Sequence, residues 1–115
     1  MLAKTNRIRS GADYRLTVRK GVRVHATHTI TYVRRVPDPS PVRFGFIVSK
    51  AVGVAVVRNT VRRRLKAVSR ELLPDIAPGH EIVVRALPAS AQASWATLQG
   101  EIRRAVDKVG ARCMP

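Results

Sequence analysis

Two stretches of the chain alternate between apolar and polar residues, which is the period of a β-strand that buries one face. The apolar phase of residues 22–33 fits either one half-buried strand or two short strands with a break near residues 25–28. In residues 42–48 every second side chain is Val or Phe. Residues 37–41 contain three prolines, which predict a loop between these stretches. Because strands lie on both sides of the loop, we expect them to pair as a hairpin.

Apolar residues at helical spacing predict a short first helix and a longer central one. Ser10 followed by Asp13 has the Ser-x-x-acid pattern of a helix start, and Gly21 is expected to end this helix. The central helix covers residues 57–73, where the apolar side chains form one stripe. It stops at Pro74, because proline cannot continue a helix.

The last part of the chain adds one strand and one helix. Residues 81–87 are too uniformly apolar for an edge strand, so we place this strand inside the sheet. Residues 94–109 return to helical spacing and predict a final amphipathic helix. If residues 22–33 form two strands, the order is α-β-β-β-α-β-α, which belongs to the α+β class. The length favours one domain over residues 1–115.

Composition narrows the classes of protein to which the chain can belong. Of the 115 residues, 45% are hydrophobic, which supports a folded core and argues against disorder. The single cysteine, Cys113, excludes an intramolecular disulfide and a cysteine-based zinc site, and it favours a reducing compartment. No apolar run has the length of a membrane span, and the N-terminus lacks a signal-peptide pattern. We therefore expect a soluble, cytoplasmic protein.

The charge of the chain is strongly positive and unevenly distributed. The sequence has 22 Lys and Arg against 7 Asp and Glu, a formal net charge of +15. All of this excess lies in residues 1–70, and no acid occurs between Asp38 and Glu71. Like charges at this density repel one another and are commonly compensated by a polyanionic partner. Nucleic acid is the first candidate partner and an anionic membrane surface the second.

The central helix displays much of this charge on one side. On a helical wheel, five cations and one amide share a face next to the apolar stripe, and Arg64 falls just outside it. An ordinary solvated helix surface would mix acids with bases, whereas this face has only bases. Arginine also grips phosphate in a bidentate manner. We therefore predict a phosphate-binding surface. Its residues are Arg58, Asn59, Arg62, Arg63, Lys66 and Arg70.

The acids and histidines do not form a pattern typical of a protein nuclease. Two-metal nucleases need clustered carboxylates, but the seven acids are scattered, and Pro74 separates the closest pair, Glu71 and Asp75. On a strand, His25 and His28 would point to opposite faces. We therefore predict no catalytic residue and no metal site on this chain.

One segment resembles the signature of a known family. Phe44 to Lys50 reads Phe-Gly-Phe-Ile-Val-Ser-Lys, and it is followed by Gly53 and by Arg58-Asn59 at the start of an Arg-rich run. This spacing resembles the bacterial ribonuclease P protein subunit, and the similarity covers nearly the whole chain. The family's fold implies a small two-layer α/β sandwich of about four strands and three helices, with a left-handed βαβ crossover, an exception to the right-handed rule.

The resemblance also implies a function. Ribonuclease P is a ribonucleoprotein endonuclease that removes the 5′ leader from precursor tRNA, with the catalytic groups in its RNA subunit. The implied partners are that catalytic RNA and precursor tRNA, with no membrane and no obligate protein partner. The implied cofactor is Mg²⁺, bound mainly by the RNA subunit and the substrate.

The same resemblance assigns roles to residues. The basic face of the central helix would bind the RNA subunit, and a cleft between the first helix and the sheet would hold the single-stranded leader. Two positions depart from the family pattern: Val54 replaces an Asn, and Val18 replaces an aromatic residue. The first removes a polar or metal-linked contact at the helix start, and the second thins the aromatic lining where the substrate would lie. The implied leader contacts are Arg7, Arg9, Tyr14, Val18, Tyr32 and Lys50.

Two other classes of function stay open. A ribosomal or other structural RNA-binding protein would have a similar size and charge. A protein of the membrane surface is less favoured, because the basic helix lacks the Trp or Phe that would anchor it at an interface.

Overall fold

The computed structural model describes residues 2–111, so that Cys113 lies outside the described residues. The predicted α+β class and the order α-β-β-β-α-β-α are confirmed, and residues 22–35 form two strands rather than one. The elements are α1 (Gly11–Lys20), β1 (Val22–His25), β2 (Thr29–Arg35), β3 (Arg43–Ile47), α2 (Ala55–Leu72), β4 (His80–Ala86) and α3 (Trp95–Val109).

The four strands form one mixed sheet in the order β1-β2-β4-β3. The predicted hairpin between β2 and β3 is wrong, because β4 lies between them, antiparallel to β2 and parallel to β3. The proline-containing loop passes the start of β4 instead of making a tight turn. Val36 N donates to Gly79 O and Gly79 N donates to Ser40 O, both at 2.8 Å. The apolar strand, β4, lies in the interior of the sheet as predicted, with β2 on one side and β3 on the other.

The main sandwich consists of the sheet and the layer made by α2 and α3. The β3–α2–β4 segment is the βαβ crossover, since it joins two parallel neighbouring strands. Phe44 and Ile82 of the sheet pack against α2 and α3 in one buried core. The helical residues of this core are Val61, Leu65, Val68, Leu72, Leu98, Ile102 and Val106. The apolar stripe predicted for the central helix therefore faces the sheet.

The face of β2 that carries its threonines is buried, whereas the sequence pattern predicted that only the opposite, apolar face would be buried. Thr29 and Thr31 are both enclosed, because α3 covers that face of the sheet. The Thr29 hydroxyl donates to the buried Glu101 carboxylate of α3 at 2.8 Å. This hydrogen bond compensates for the burial of both polar groups.

Helix α1 lies on the opposite face of the sheet. Ser10 begins it as predicted, since its hydroxyl accepts from Ala12 N at 3.1 Å and Asp13 N at 3.3 Å, and Gly21 ends it. The helix covers only part of its face of the sheet, which leaves a groove beside it.

Candidate nucleic-acid interface

The predicted basic residues of α2 form one surface on the side away from the sheet. We call this surface the cationic face. Since Val61, Leu65 and Val68 are fully buried, the opposite side of the helix must face solvent. The members of the cationic face are Arg58, Asn59, Arg62, Arg63, Lys66 and Arg70, all exposed or half-buried. Asn59, Arg62, Arg63 and Lys66, together with Val56, line one shallow hollow.

The cations of the cationic face have no carboxylate partner within residues 2–111. The ion pairs in this part of the chain use Arg34, Arg43 and His28 instead. Arg62 donates to the Asn59 side-chain oxygen at 2.9 Å, which orients the guanidinium without neutralising it. Arg58 Nε is buried and has no acceptor. The positive charge of this surface is therefore available to an external anion.

The start of α2 is bare. Val54 occupies the N-cap position, where it offers no side-chain acceptor to the first backbone N–H groups. Val54 and Val56 are 70% and 74% exposed, among the most exposed large apolar residues of the described chain. With Val54 in place of the family's Asn, α2 has no side-chain cap. Val54 and Val56 also form an exposed apolar patch beside the cationic face.

On the other side of the sheet, side chains form three rows that run across β2, β4 and β3. The first, which we call the polar row, contains Arg34, Glu81 and Arg43. Helix α1 covers it, since Arg43 pairs with Asp13 at 3.2 Å and the Thr17 hydroxyl donates to Glu81 at 3.4 Å. The buried Glu81 also contacts both arginines. These contacts fix α1 to the sheet.

The middle row contains Tyr32, Val83 and Gly45. Tyr14 of α1 packs directly over Gly45, because a Cβ atom at this glycine would come within 2.5 Å of the Tyr14 ring. The Tyr14 hydroxyl accepts from Phe46 N at 3.2 Å. Tyr14 is therefore held in place over the sheet and stays half-buried.

The open row contains Ile30, Arg85 and Ile47. Helix α1 stops short of it, so that Arg85 is exposed and the two isoleucines are half-buried. A groove runs along this row. Its lining residues are Tyr14, Arg15, Val18, Ile47 and Arg85.

The structure gathers the predicted leader contacts only in part. Tyr14 and Val18 line the groove, whereas Tyr32 is 5% exposed and lies beneath them in a cluster with Ile8 and Val83. Arg7 and Arg9 are exposed on the segment that pairs with the edge of β3, where Ile8 N donates to Phe44 O at 2.9 Å. Lys50 is exposed just after the end of β3.

Sequence reasoning missed three lining residues of the groove. Arg15 was one basic residue among many, and Ile47 belonged to the phase opposite to the buried phenylalanines. Arg85 had a usable signal, since it is the one charged residue after Glu81 in a strand otherwise apolar. A charge in the middle of a central strand marks a place where the sheet is uncovered.

Three acids of the described residues are engaged in ion pairs within the fold. Asp13 and Glu81 pair with arginines, and Glu101 lies 2.6 Å from His28 Nδ1. Within residues 2–111 no three His, Cys, Asp or Glu side chains gather as metal ligands would. In the same part of the chain no helix has the length and apolarity needed to cross a membrane.

Comparisons with known proteins identify the family. A model of the Ribonuclease P family matches residues 2–110. The ribonuclease P protein component of Clavibacter michiganensis subsp. michiganensis is 52% identical over 108 residues, covering 94% of this chain and 96% of that one. The corresponding protein of Pseudarthrobacter chlorophenolicus is 48% identical over 107 residues, covering 93% of this chain and 79% of that one.

Solved structures show the same fold. The ribonuclease P protein of Staphylococcus aureus matches with a TM-score of 0.82 at 23% identity, over 94% of this chain and 98% of that one. The Thermotoga maritima protein matches with a TM-score of 0.77 at 20% identity, over 89% and 96%. With the fold, the family match and the close relatives in agreement, the chain belongs to the ribonuclease P protein family.

Proposed function

We propose that the cationic face binds the catalytic RNA and that the groove beside α1 holds the 5′ leader of precursor tRNA. As a member of its family, the chain is the protein component of an endoribonuclease ribonucleoprotein that acts in tRNA processing, and it partners an RNA subunit. The observation that carries the proposal is the cationic face, whose charges have no carboxylate partner in the described part of the chain.

The chemistry of the cationic face supports RNA as its ligand. Phosphates spaced along an RNA strand can engage several cations at once, and binding then releases condensed counterions. Arg62 and Arg63 can each hold a phosphate through two N–H groups. The amide of Asn59 adds a donor and an acceptor that can reach a sugar hydroxyl or a base edge. Arg70 extends the surface toward the end of the helix.

The groove supports single-stranded RNA as a second ligand. Its floor of Tyr14, Val18 and Ile47 is largely apolar and can accept bases, while Arg7, Arg9 and Lys50 are exposed nearby to meet phosphates. Tyr32 supports this floor from below rather than stacking on a base itself. Since α2 and the groove lie on opposite faces of the sheet, the protein can contact the catalytic RNA and the leader at the same time.

The catalytic groups and the Mg²⁺ ions belong, in this proposal, to the RNA subunit and the substrate. Asp13 and Glu81 already pair with arginines of the chain, so they are poor ligands for Mg²⁺. The contribution of the protein is to place substrate and catalyst together. We place the complex in the cytoplasm, where precursor tRNA is made in a bacterium.

Binding of the catalytic RNA across a range of salt concentrations tests the role of the cationic face. Arg62→Ala with Lys66→Ala should weaken binding and flatten the plot of log K against log salt by roughly one unit for each lost phosphate contact. The matched control is Arg104→Ala with Lys108→Ala, which removes the same amount of charge from the exposed side of α3. An unchanged slope for the α2 variant would show that this face does not touch phosphate.

Comparison of precursor tRNA with mature tRNA tests the role of the groove. The complex reconstituted from protein and catalytic RNA should bind the precursor more tightly than the catalytic RNA alone does. It should also cleave the leader at a lower Mg²⁺ concentration than the RNA alone requires. A structural RNA-binding protein of the ribosome would show no preference for a substrate that carries a leader.

A further inference from the structure

We infer that Arg15 and Arg85 form a clamp for one phosphate of single-stranded RNA, which sets the register of the leader in the groove. This inference rests on the proposed function and adds to it two residues that neither the sequence pattern nor the family resemblance assigned.

The position of Arg85 is the first observation. It lies on β4, the central strand, where all the other residues of the strand are buried. Glu81, the acid of the same strand, lies two rows away, where it binds Arg34 and Arg43. Arg85 therefore brings an uncompensated charge to the open row, near the end of β4, where α1 does not cover the sheet.

The neighbours of Arg85 are the second observation. Its register partners are Ile30 on β2 and Ile47 on β3, so an apolar side chain flanks it on each side. The aliphatic part of an arginine can pack against such neighbours while its guanidinium stays in solvent, and Arg85 is exposed. The two isoleucines also offer the apolar contact that a nucleobase needs next to its own phosphate.

Arg15 supplies the other side of the clamp. It is exposed on α1 and lines the same groove as Arg85, but it comes from the helix rather than from the sheet. No ion pair within residues 2–111 involves either arginine. Helix α1 cannot drift away from Arg85, because the polar row and the Tyr14 hydroxyl fix it to the sheet. The two arginines therefore line one groove with an apolar floor, and they come from two elements whose relative position is fixed.

The chemistry of this arrangement fits a phosphodiester of an unpaired strand. The floor accepts a flat, apolar surface, and the two guanidiniums accept a single negative charge between them. A paired RNA helix hides its bases and cannot offer both groups to a narrow groove. An acidic peptide would bring the charge but would not bring bases to cover Tyr14 and Ile47.

The test uses the complex reconstituted with its catalytic RNA and precursor tRNAs that differ only in the leader. Arg85→Ala and Arg15→Ala should each weaken binding of the precursor by roughly fivefold to tenfold, with no change for mature tRNA. Arg85→Lys keeps the charge without the planar fork and should restore part of the loss. Arg104→Ala, which is remote from the groove, should change neither affinity.

Neutral methylphosphonates, placed one at a time along the leader, identify the phosphate. At one position the substitution should weaken binding to the unmodified protein by a similar factor and should have little further effect with Arg85→Ala. Additive losses at every position would overturn the clamp, while a preference for the precursor in the unmodified protein would leave the proposed function standing. If the unmodified protein shows no such preference, the proposed role of the groove fails and the clamp with it.

Discussion

Glu81 is an acid that the fold buries almost completely, with 3% of its surface exposed. Its carboxylate contacts Arg34 and Arg43 and accepts from Thr17, and it thereby connects α1 to three strands. Burial of a charge is unfavourable unless partners surround it, and here the partners are supplied by separate elements. The Glu81 carboxylate is therefore fully compensated only when α1, β2 and β3 are all packed around it.

We predict that Glu81→Gln lowers the free energy of unfolding by about 2 to 3 kcal/mol, because it leaves two arginines without their shared acid. The loss should be smaller than for a fully buried pair, since both arginines are partly exposed. Urea denaturation measures it. Asp13→Asn, which disrupts a half-exposed pair with Arg43, should cost about 1 kcal/mol or less. Equal losses for both variants would contradict this assignment.

Gly45 determines where Tyr14 lies. We predict that Gly45→Ala destabilises the protein by about 1 to 3 kcal/mol, because the added methyl group would meet the Tyr14 ring at 2.5 Å. In a Tyr14→Ala background the same change should cost much less, which a double-mutant cycle of unfolding free energies would show.

Gly100→Ala is the control for Gly45→Ala. Gly100 lies within α3, and a methyl group there would meet only the end of the Arg104 side chain at 3.5 Å. This substitution should stabilise the protein by about 0.5 to 1 kcal/mol, because alanine favours a helix. A loss at Gly100 comparable to that at Gly45 would mean that the ring contact is not the cause.

At the scale of elements, the three main helices begin differently. Ser10 and Ser94 cap α1 and α3 with their hydroxyl groups, whereas Val54 gives α2 no side-chain acceptor. Helix α2 compensates with its long buried stripe, so that its packing rather than its cap stabilises it.

We predict that Val54→Asn stabilises the protein by about 1 kcal/mol, since the amide oxygen would accept from a free N–H of the first turn. Thermal unfolding measures the gain. Ser94→Ala is the mirror test, because it removes the acceptor for Thr97 N and should cost a similar amount. A Val54→Asn variant no more stable than the original would mean that the first turn of α2 is already satisfied.

The elements themselves were predictable, but the pairing of the strands was not. Ser10, Pro74 and the apolar stripe of α2 act over a few residues, so their consequences can be read locally. The neighbour of β3 is β4, which arrives more than thirty residues later, and no local pattern in residues 22–48 records it. The burial of the β2 threonines was missed for the same reason, because it depends on α3, which comes some sixty residues later in the chain.

The two parts of the candidate site also differ in how far they could be predicted from local sequence. The cationic face lies on a single helix, so its periodicity was sufficient to predict its members. The groove is assembled from α1, β3 and β4, and among its lining residues the family resemblance implied only Tyr14 and Val18. The burial of Tyr32 depends on Ile8 and Val83, which reach it from distant parts of the chain.

At the scale of the whole molecule, the separation of charge affects stability. Arg58, Arg62, Lys66 and Arg70 follow one another at four-residue spacing along α2, and each such pair of like charges costs a few tenths of a kcal/mol. The protein therefore retains a repulsive surface that an RNA partner would relieve.

We predict that Arg62→Gln with Lys66→Gln raises the free energy of unfolding by about 1 kcal/mol at low salt, because it removes three repulsive pairs. The gain should shrink above roughly 0.1 M salt, where screening acts over about 10 Å. Unfolding at several salt concentrations measures both effects. Arg104→Gln with Lys108→Gln should give no gain, since Glu101 and Asp107 lie on the same helix. A gain that is independent of salt would exclude repulsion as its cause.

The insertion of β4 between β2 and β3 has a consequence for synthesis of the protein. Residues 29–47 leave the ribosome as two strands that must end up roughly 10 Å apart, with the gap left for a strand not yet translated. The four-stranded sheet can be completed only after residue 86 has emerged from the ribosome. By then every arginine of the cationic face has already emerged. Until then the nascent chain is an open, strongly basic segment beside ribosomal RNA. Its native contacts are distant in sequence, and such contacts form slowly.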